Sequence, residues 1–388
     1  MKKHIFIIGS KGIPSRYGGF ETFVEKLTEY KNNDSIQYYV ACMNAEQSLY
    51  KHNDANCFNI DVPNIGPAKA IYYDLAALNW SINYIKKNRI KDAVIYILAC
   101  RIGPFMGYYK SRMRKLGISL YVNPDGHEWL RAKWNWVIKK YWKLSEKLMI
   151  KSADMVICDS VNIQNYIQNS YSTYKPKSIF ISYGAEVTES EMPDTNIELQ
   201  QWYKKNNLKP QDYYLVVGRF VPENNYAAMI REFMKSTTKK DLVLITNVEK
   251  NKFYNQLKQD TKFDQDPRIK FVGTVYDQEL LKKIREDAYG YLHGHEVGGT
   301  NPSLLEALGS TQVNLLLDVG FNREVGGNAA LYWTKQDGNL ASLITRLETI
   351  DQAEINKMKK MARERVMENY NWPLIVEKYE NLFYKRGN

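Results

Sequence analysis

The stretch Gly290-Tyr291-Leu292-His293-Gly294-His295-Glu296-Val297-Gly298-Gly299-Thr300-Asn301-Pro302-Ser303-Leu304-Leu305-Glu306-Ala307-Leu308 reads as a short strand, a glycine-rich turn and a helix. Asn301 suits a helix N-cap and Pro302 the first helical position. The helix therefore starts just after the glycine pair, and its unpaired N–H groups and dipole make an anion site. Glu306 falls just over one turn into that helix. A carboxylate there can accept two hydrogen bonds, which suits the vicinal hydroxyls of a ribose or a sugar. A lone helix glutamate is most simply a solvated residue. Leu304, Leu305, Ala307 and Leu308 around it argue against that reading.

Working outward, the same alternation repeats. Tyr213–Val217, Leu242–Thr246, Ile269–Val272 and Val313–Leu317 are strand candidates with helical stretches between them. Val216-Val217-Gly218-Arg219-Phe220-Val221-Pro222-Glu223-Asn224-Asn225 follows the first of them, and an arginine beside a glycine at a strand end is placed to grip a diphosphate bidentately. The N-terminal half offers Ile5–Ile8, Gln37–Ala41, Ala93–Leu98, Ile118–Val122, Met155–Cys158 and Ile179–Ile181, with a helix near Phe20–Tyr30. Alternating strands and helices predict parallel sheets covered on both faces. The polar stretch Glu186 to Asn196 reads as a linker. The expected organisation is α/β: two doubly wound, Rossmann-like domains, 1–185 and 186–370, facing a central cleft. A terminal helix, 371–388, is expected to pack back toward the first domain. In such sheets ligands sit beyond the carboxyl ends of the strands.

Three motifs of the first half lie just after strands. Gly9 to Glu21 carries Gly9, Gly12, Gly18 and Gly19 with Lys11 and Arg16, and reads either as a plain strand–helix turn or as a loop touching phosphate or sugar. It is not a GxGxxG fingerprint. Asn123-Pro124-Asp125-Gly126-His127-Glu128-Trp129 places three ionisable groups at one strand end. Either carboxylate suits a sugar hydroxyl or a proton from an attacking hydroxyl. The plainer alternative makes Asp125 an Asx-turn and Glu128 a first-turn helix residue. Finally, Trp129 to Lys151 interleaves Trp129, Trp134, Trp136, Tyr141 and Trp142 with Arg131, Lys133, Lys139, Lys140, Lys143, Lys147 and Lys151, against Glu146 alone. That combination suits an anionic membrane interface, or else a solvated face with its tryptophans packed inward. Single-stranded nucleic acid also favours cations and aromatics, but no nucleic-acid-binding motif accompanies them, and no nucleic-acid partner is expected.

Charge distribution supports a polyanionic partner for the first half. Residues 1–185 hold 26 Lys+Arg and 14 Asp+Glu, whereas the remainder holds 28 and 29, so the formal +11 resides entirely in the first half. With 388 residues, 44% hydrophobic and 25% charged, the chain is neither disordered nor fibrous. The longest run free of strongly polar residues, Ala93 to Cys100, falls far short of the ~20 needed to cross a bilayer. Only four apolar residues follow the N-terminal lysines before Gly9, which is too few for a signal peptide, and a cytoplasmic location is expected. Four scattered cysteines without a CxxC pair read as reduced, mostly buried thiols. Asp264-Gln265-Asp266 precedes Pro267 and a strand, so it reads as a turn, and neither metal nor cofactor is expected.

Arg219 after a strand, followed some eighty residues later by a glycine turn and Pro-Ser-Leu-Leu-Glu-Ala, resembles the second domain of retaining GT-B glycosyltransferases of family 4. Ala153 to Ser160 resembles that family's segment before the linker, and Gly18-Gly19-Phe20-Glu21 its N-terminal glycine loop. The strings Ser15 to Thr22, Gly218 to Asn225 and His295 to Ala307 are further similar to a subgroup of bacterial capsular rhamnosyltransferases. The resemblance implies a metal-independent enzyme that moves L-rhamnose from dTDP-β-L-rhamnose, with retention. Its acceptor would be an undecaprenyl-diphosphate-linked sugar, glucose, on the inner face of the plasma membrane. It assigns Gly18, Gly19, Arg219, Asn224, His295, Gly298, Gly299, Thr300, Asn301 and Glu306 to the donor. Asp125, His127, Glu128 and Glu296 are the catalytic candidates, and Arg131, Lys133, Trp134, Trp136, Lys139, Lys140 and Lys143 face acceptor and membrane. Asn224 stands where the family pattern has lysine. Counting back eight from Glu306 reaches Gly298, while Glu296 is ten back, so Glu296 or His295 takes the place of the pattern's first glutamate. Competing readings are a UDP- or GDP-sugar transferase, a sugar-nucleotide epimerase and a non-enzymatic membrane scaffold.

Overall fold

The computed structural model describes residues 2–15, 18–44, 49–130, 134–248 and 251–384. The chain forms two compact units: the residues up to Gly184 together with those from Trp372 onward, and Ala185–Asn371.

The first unit runs β1 (Lys3–Ile8), α1 (Gly19–Glu29), β2 (Ile36–Met43), β3 (Leu49–His52), β4 (Ala55–Ile60), α2 (Lys69–Lys87), β5 (Ala93–Leu98), α3 (Met106–Lys115), β6 (Ser119–Asn123), α4 (Trp136–Ser152), β7 (Met155–Cys158), α5 (Val161–Ser170) and β8 (Ser178–Phe180). Its eight strands are ordered β3-β4-β2-β1-β5-β6-β7-β8. Every pairing is parallel except β3 with β4. The central strand β5, Ala-Val-Ile-Tyr-Ile-Leu, is buried at every position, as a strand covered on both faces requires. One cover is α2, which buries Tyr73, Ala77, Leu78, Ile82 and Ile85 along one stripe.

The second unit runs α6 (Ile197–Asn206), β9 (Tyr213–Val217), α7 (Tyr226–Lys235), β10 (Asp241–Ile245), α8 (Lys252–Thr261), β11 (Ile269–Gly273), α9 (Gln278–Glu286), β12 (Gly290–His293), α10 (Pro302–Ser310), β13 (Val313–Leu317), α11 (Gly320–Gly326), β14 (Leu331–Trp333), α12 (Asn339–Leu347) and α13 (Gln352–Asn369). Its sheet is wholly parallel, ordered β11-β10-β9-β12-β13-β14. The chain then returns to the first unit as α14 (Trp372–Tyr384). There Tyr379 and Phe383 pack against Phe23, Tyr96 and Tyr121, and Glu380 accepts the backbone N–H groups of Asn32 and Asn33 at 3.0 and 3.1 Å.

The topology positions the site. In the first sheet β1 lies between β2 and β5, and in the second β9 lies between β10 and β12. Chain order reverses at those places, and crevices at such switch points are where doubly wound sheets take ligands. The loops beyond β1 and β6, and those beyond β9 and β12, carry the sequence motifs. Three strands depart from the sequence reading. The β3–β4 pair forms an edge where Asn56 and Asn59 interrupt the apolar run, and β14 spans only Leu331–Trp333, too short to register as a periodic segment.

Candidate functional site

In the second unit, β9 ends at Val217 and delivers Gly218-Arg219 to the switch point. Tyr291 at the centre of β12 donates to the Val217 carbonyl at 3.2 Å and meets Ser303 Oγ at 3.1 Å; Ser303 also donates to that carbonyl at 3.3 Å. These bonds seat the first turn of α10 against the end of β9. Asn301 caps the helix, its side chain accepting from Leu304 N–H at 3.3 Å, with Pro302 at the first helical position. Gly298 has φ +142° and open space around it, so the turn approaches the helix in a conformation that favours glycine.

His295 and Arg219 meet here. A Cβ on Gly218 would lie 3.0 Å from His295 Cε1 and 3.3 Å from Asn224 Nδ2, so glycine leaves room for both side chains. The His295 ring stacks on His293 at 4.3 Å between centroids and 11° between planes. Burial, and then the Arg219 charge, push His295 down to about 3, so it is neutral near pH 7. The Arg219 side chain is exposed. Asn224 is buried and donates to the Arg219 carbonyl at 2.8 Å. It therefore shapes the arginine's turn.

The two glutamates diverge. Glu296 pairs with Lys335 at 2.6 Å and accepts from Asn225 at 3.2 Å, and these partners hold its own carboxylate below the ordinary range. His295, not Glu296, is the one turned to Gly218 and Arg219. Glu306 pairs through Oε2 with Arg285 of α9 at 2.5 Å, and the arginine is 5% exposed. The sequence reading missed Arg285: it lies on another helix, 21 residues upstream, in the unremarkable run Lys282-Lys283-Ile284-Arg285. Asp264 and Asp266 also part company, pairing with Lys258 and Arg268.

In the first unit, the loop beyond β1 is held by the helix it opens. Glu21 accepts the Lys11 N–H at 2.7 Å and Glu25, one turn on, accepts the Ser15 N–H at 2.8 Å. Glu25 also takes His52 Nε2 at 2.6 Å and Asn53 Nδ2 at 2.9 Å. Gly18 precedes α1 with φ +127°, and a Cβ there would run into the Glu21 carboxylate. Gly19 begins the helix. Arg101, unmarked by any sequence motif, donates to the carbonyls of Gly9 at 3.1 Å and Leu98 at 3.2 Å and to buried Asp74 at 3.1 Å. It ties the ends of β1 and β5 together at the switch point.

Beyond β6, Asn123 makes the Asx-turn, its Oδ1 accepting Asp125 N–H at 2.8 Å. Asp125 itself has φ +58° and lines a small cavity with Glu128, Trp129, Trp142 and Glu146. Asp125 and Glu128 thus share one recess. Glu128 accepts from Trp134 Nε1 at 3.0 Å. His127 lies 4.2 Å from the Tyr166 ring, and burial, with the Lys143 charge, lowers its pKa against the opposing pull of Glu146. Glu146 is 4% exposed and accepts from the hydroxyls of Tyr166 and Tyr171.

The basic–aromatic segment is only partly surface. Trp134 is turned onto Glu128, and Lys143 pairs with Glu146 at 3.4 Å while lying over the Trp129, Tyr166 and Tyr171 rings. Trp136 and Lys140 are exposed, and Lys139 is half-buried. Arg131 and Lys133 lie outside the described residues. Among the described residues no helix is long and apolar enough to cross a membrane.

Comparison with known proteins agrees with this architecture. Residues 2–186 match a family described as a domain of unknown function, DUF1972. An uncharacterized glycosyltransferase of Methanocaldococcus jannaschii, MJ1069, is 22% identical, covering 96% of each chain. Sucrose-phosphate synthase from Thermosynechococcus elongatus superposes with a TM-score of 0.75 at 17% identity, over 98% of each chain. Anabaena Alr3699/HepE in complex with UDP superposes with a TM-score of 0.69 at 13% identity, over 98% of this chain and 99% of that one. Two Rossmann-like parallel sheets, matched over nearly the full chain, give this protein the GT-B fold.

Proposed function

We propose that the protein is a glycosyltransferase that takes its sugar from a nucleoside-diphosphate donor. One observation carries this reading: Arg219, neutral His295 and the capped N-terminus of α10 come to one switch point, the second unit's β9/β12 crevice. As the donor bond breaks, negative charge grows on the leaving diphosphate. Arg219 and the amides of Gly298, Gly299, Thr300 and Asn301 meet that charge with fixed dipoles and a cation. Glu306, steadied by Arg285, offers its second oxygen to the ribose. Gly18 and Gly19, in a loop whose Lys11 and Ser15 amides are already taken by carboxylates, suit neutral sugar hydroxyls better than phosphate. Asp125, His127 and Glu128 are assigned to the acceptor, with the recess between Asp125 and Glu128 receiving its hydroxyl. The departing phosphate oxygen accepts the proton of the attacking hydroxyl, so transfer proceeds with retention and no enzymic nucleophile.

The finer assignment follows the motif resemblance. The donor is dTDP-β-L-rhamnose, and the acceptor is an undecaprenyl-diphosphate-linked sugar, glucose, on the anionic inner face of the plasma membrane in cell-surface polysaccharide synthesis. The Anabaena HepE structure holds UDP, which makes UDP the natural competitor. The test is thermal stabilisation of wild type and Glu306→Gln by dTDP, UDP, GDP and ADP, since a bound nucleotide raises the melting point by mass action. Glutamine keeps a hydrogen-bond acceptor for buried Arg285, which alanine would strand. Stabilisation by dTDP above the others, reduced in the variant, is expected. A UDP or GDP preference overturns the donor, and no shift with any nucleotide overturns the enzyme.

A further inference from the structure

The surface of α4 is arranged unlike a solvated helix face. Asn135 caps the helix by accepting Ile138 N–H at 3.0 Å. At 100° per residue, positions 136, 137, 140, 144, 147 and 151 fall within about a quarter of the circumference. They are Trp136, Val137, Lys140, Leu144, Lys147 and Lys151, and all are exposed. Trp136, Val137 and Leu144 are 68%, 54% and 51% exposed. The stripe thus interleaves three large apolar residues with three lysines and contains no carboxylate. The helix's one acid, Glu146, is buried on the opposite side beneath Tyr166 and Tyr171.

The elements packed against α4 carry further exposed apolar and basic residues. Phe105 and Leu130, 43% and 46% exposed, sit on short helical turns packed against α4. Tyr108, Arg114 and Lys115 are exposed on α3, which also packs on α4. Of the fifteen exposed large hydrophobic residues among the described residues, six lie between Phe105 and Leu144. Scattered single residues of this kind are normal, but a cluster with a basic rim is not.

We propose that this stripe docks the first unit on an anionic lipid bilayer, with Trp136, Val137 and Leu144 entering the interface and Lys140, Lys147 and Lys151 facing lipid phosphates. Tryptophan and short aliphatic side chains suit the headgroup–acyl boundary, and lysine stems lie along apolar surface while their ammonium groups reach outward. The Lys140 ammonium already lies 4.7 Å from the Trp136 ring centre. Single-sign charge complements an anionic surface. A nucleic-acid strand would gain stacking from Trp136 but nothing from Val137 and Leu144. A protein partner would have to bury lysines that interface cores avoid. The proposed function sets the acceptor on an anionic membrane face; the stripe deepens that reading by naming the surface that reaches it, and its geometry stands without the transfer reaction.

The test is co-sedimentation with phosphatidylcholine vesicles, with and without phosphatidylglycerol, at low and high salt. Trp136→Ser/Val137→Ser/Leu144→Ser and Lys140→Glu/Lys147→Glu/Lys151→Glu are compared with wild type. All six positions are exposed, so melting temperatures should match wild type and report intact folds. Binding to the anionic vesicles alone is expected, weakened roughly tenfold or more in each triple variant. Lipids brominated in the acyl chain should quench wild-type fluorescence more than that of Trp136→Phe. Three results each overturn the proposal: no binding to anionic vesicles, binding that survives both triple variants, or binding lost only in the lysine variant with no Trp136-dependent quenching. Nucleotide stabilisation is a separate measurement, so either reading can fail alone.

Discussion

The two glycine-rich loops occupy equivalent places in their sheets yet are wired oppositely. The loop beyond β1 is bound by its own helix, with Glu21 on the Lys11 amide and Glu25 on the Ser15 amide. The loop beyond β12 keeps carboxylates away: Glu296 is drawn to Lys335, and Glu306 is anchored to Arg285. Exposed Arg219 stands beside the second loop, and two carboxylates stand inside the first. The first arrangement sets negative charge against its own amides, whereas the second leaves a cation beside its turn. Topology gives the two loops equivalent places, and the carboxylates give them different electrostatics.

The largest expected effect comes from breaking the Arg285–Glu306 pair. Glu306→Ala strands a buried guanidinium, and removing one partner of such a pair costs about 3 kcal/mol. Glu306 is itself 40% exposed on its side chain, so the pair is partly screened and about 2 kcal/mol is expected in urea unfolding. Glu306→Gln should lose less than half of that while weakening nucleotide binding comparably. Equal stability losses in the two variants would show that Arg285 does not depend on this carboxylate.

Next comes the cation. Arg219→Gln should weaken dTDP binding by about 2 kcal/mol, roughly thirtyfold, because a charge-assisted contact to phosphate is lost. Melting temperature without nucleotide should stay unchanged, since the side chain is exposed. His295→Ala should weaken binding less, because the neutral imidazole contributes only a hydrogen bond. The opposite ranking by titration calorimetry would move the diphosphate off Arg219.

Much of this contrast was legible in the sequence, and the reason differs by element. Strands buried on both faces, such as Ala93–Leu98 and Val313–Leu317, announce themselves as unbroken apolar runs. The Asn301-Pro302 start of α10 is a local signal, and local signals survive folding. Partners set by helix packing were not legible. Nothing near Glu306 points to Arg285, and nothing near Glu296 points to Lys335, 39 residues on. Lys335 draws the Glu296 carboxylate to itself, a pairing that no local pattern around the glycine turn shows. The Lys143 cage likewise depends on Tyr166 and Tyr171 of the following helical segment, so a lysine that reads as surface charge is tied inward.

The smallest expected effect probes the first loop's latch. Burial pushes the Glu25 carboxyl upward, but His52, the Ser15 amide and Asn53 outweigh it and hold the group below its ordinary 4.5. A carboxyl whose folded pKa is lowered stabilises the fold above its unfolded pKa, and that stabilisation is lost as pH falls through the folded value. Glu25→Gln should therefore cost about 1 kcal/mol near pH 7, the scale of a charge-assisted hydrogen-bond set at a partly exposed site. The gap between wild type and variant should close as pH drops below 4.5. Urea unfolding of both proteins at successive pH values measures it. A gap that stays constant into acid would mean that the glutamine replaces the carboxylate's bonds one for one. The loop would then be held by shape and not by charge, and the electrostatic contrast with the loop beyond β12 would rest on Glu21 alone.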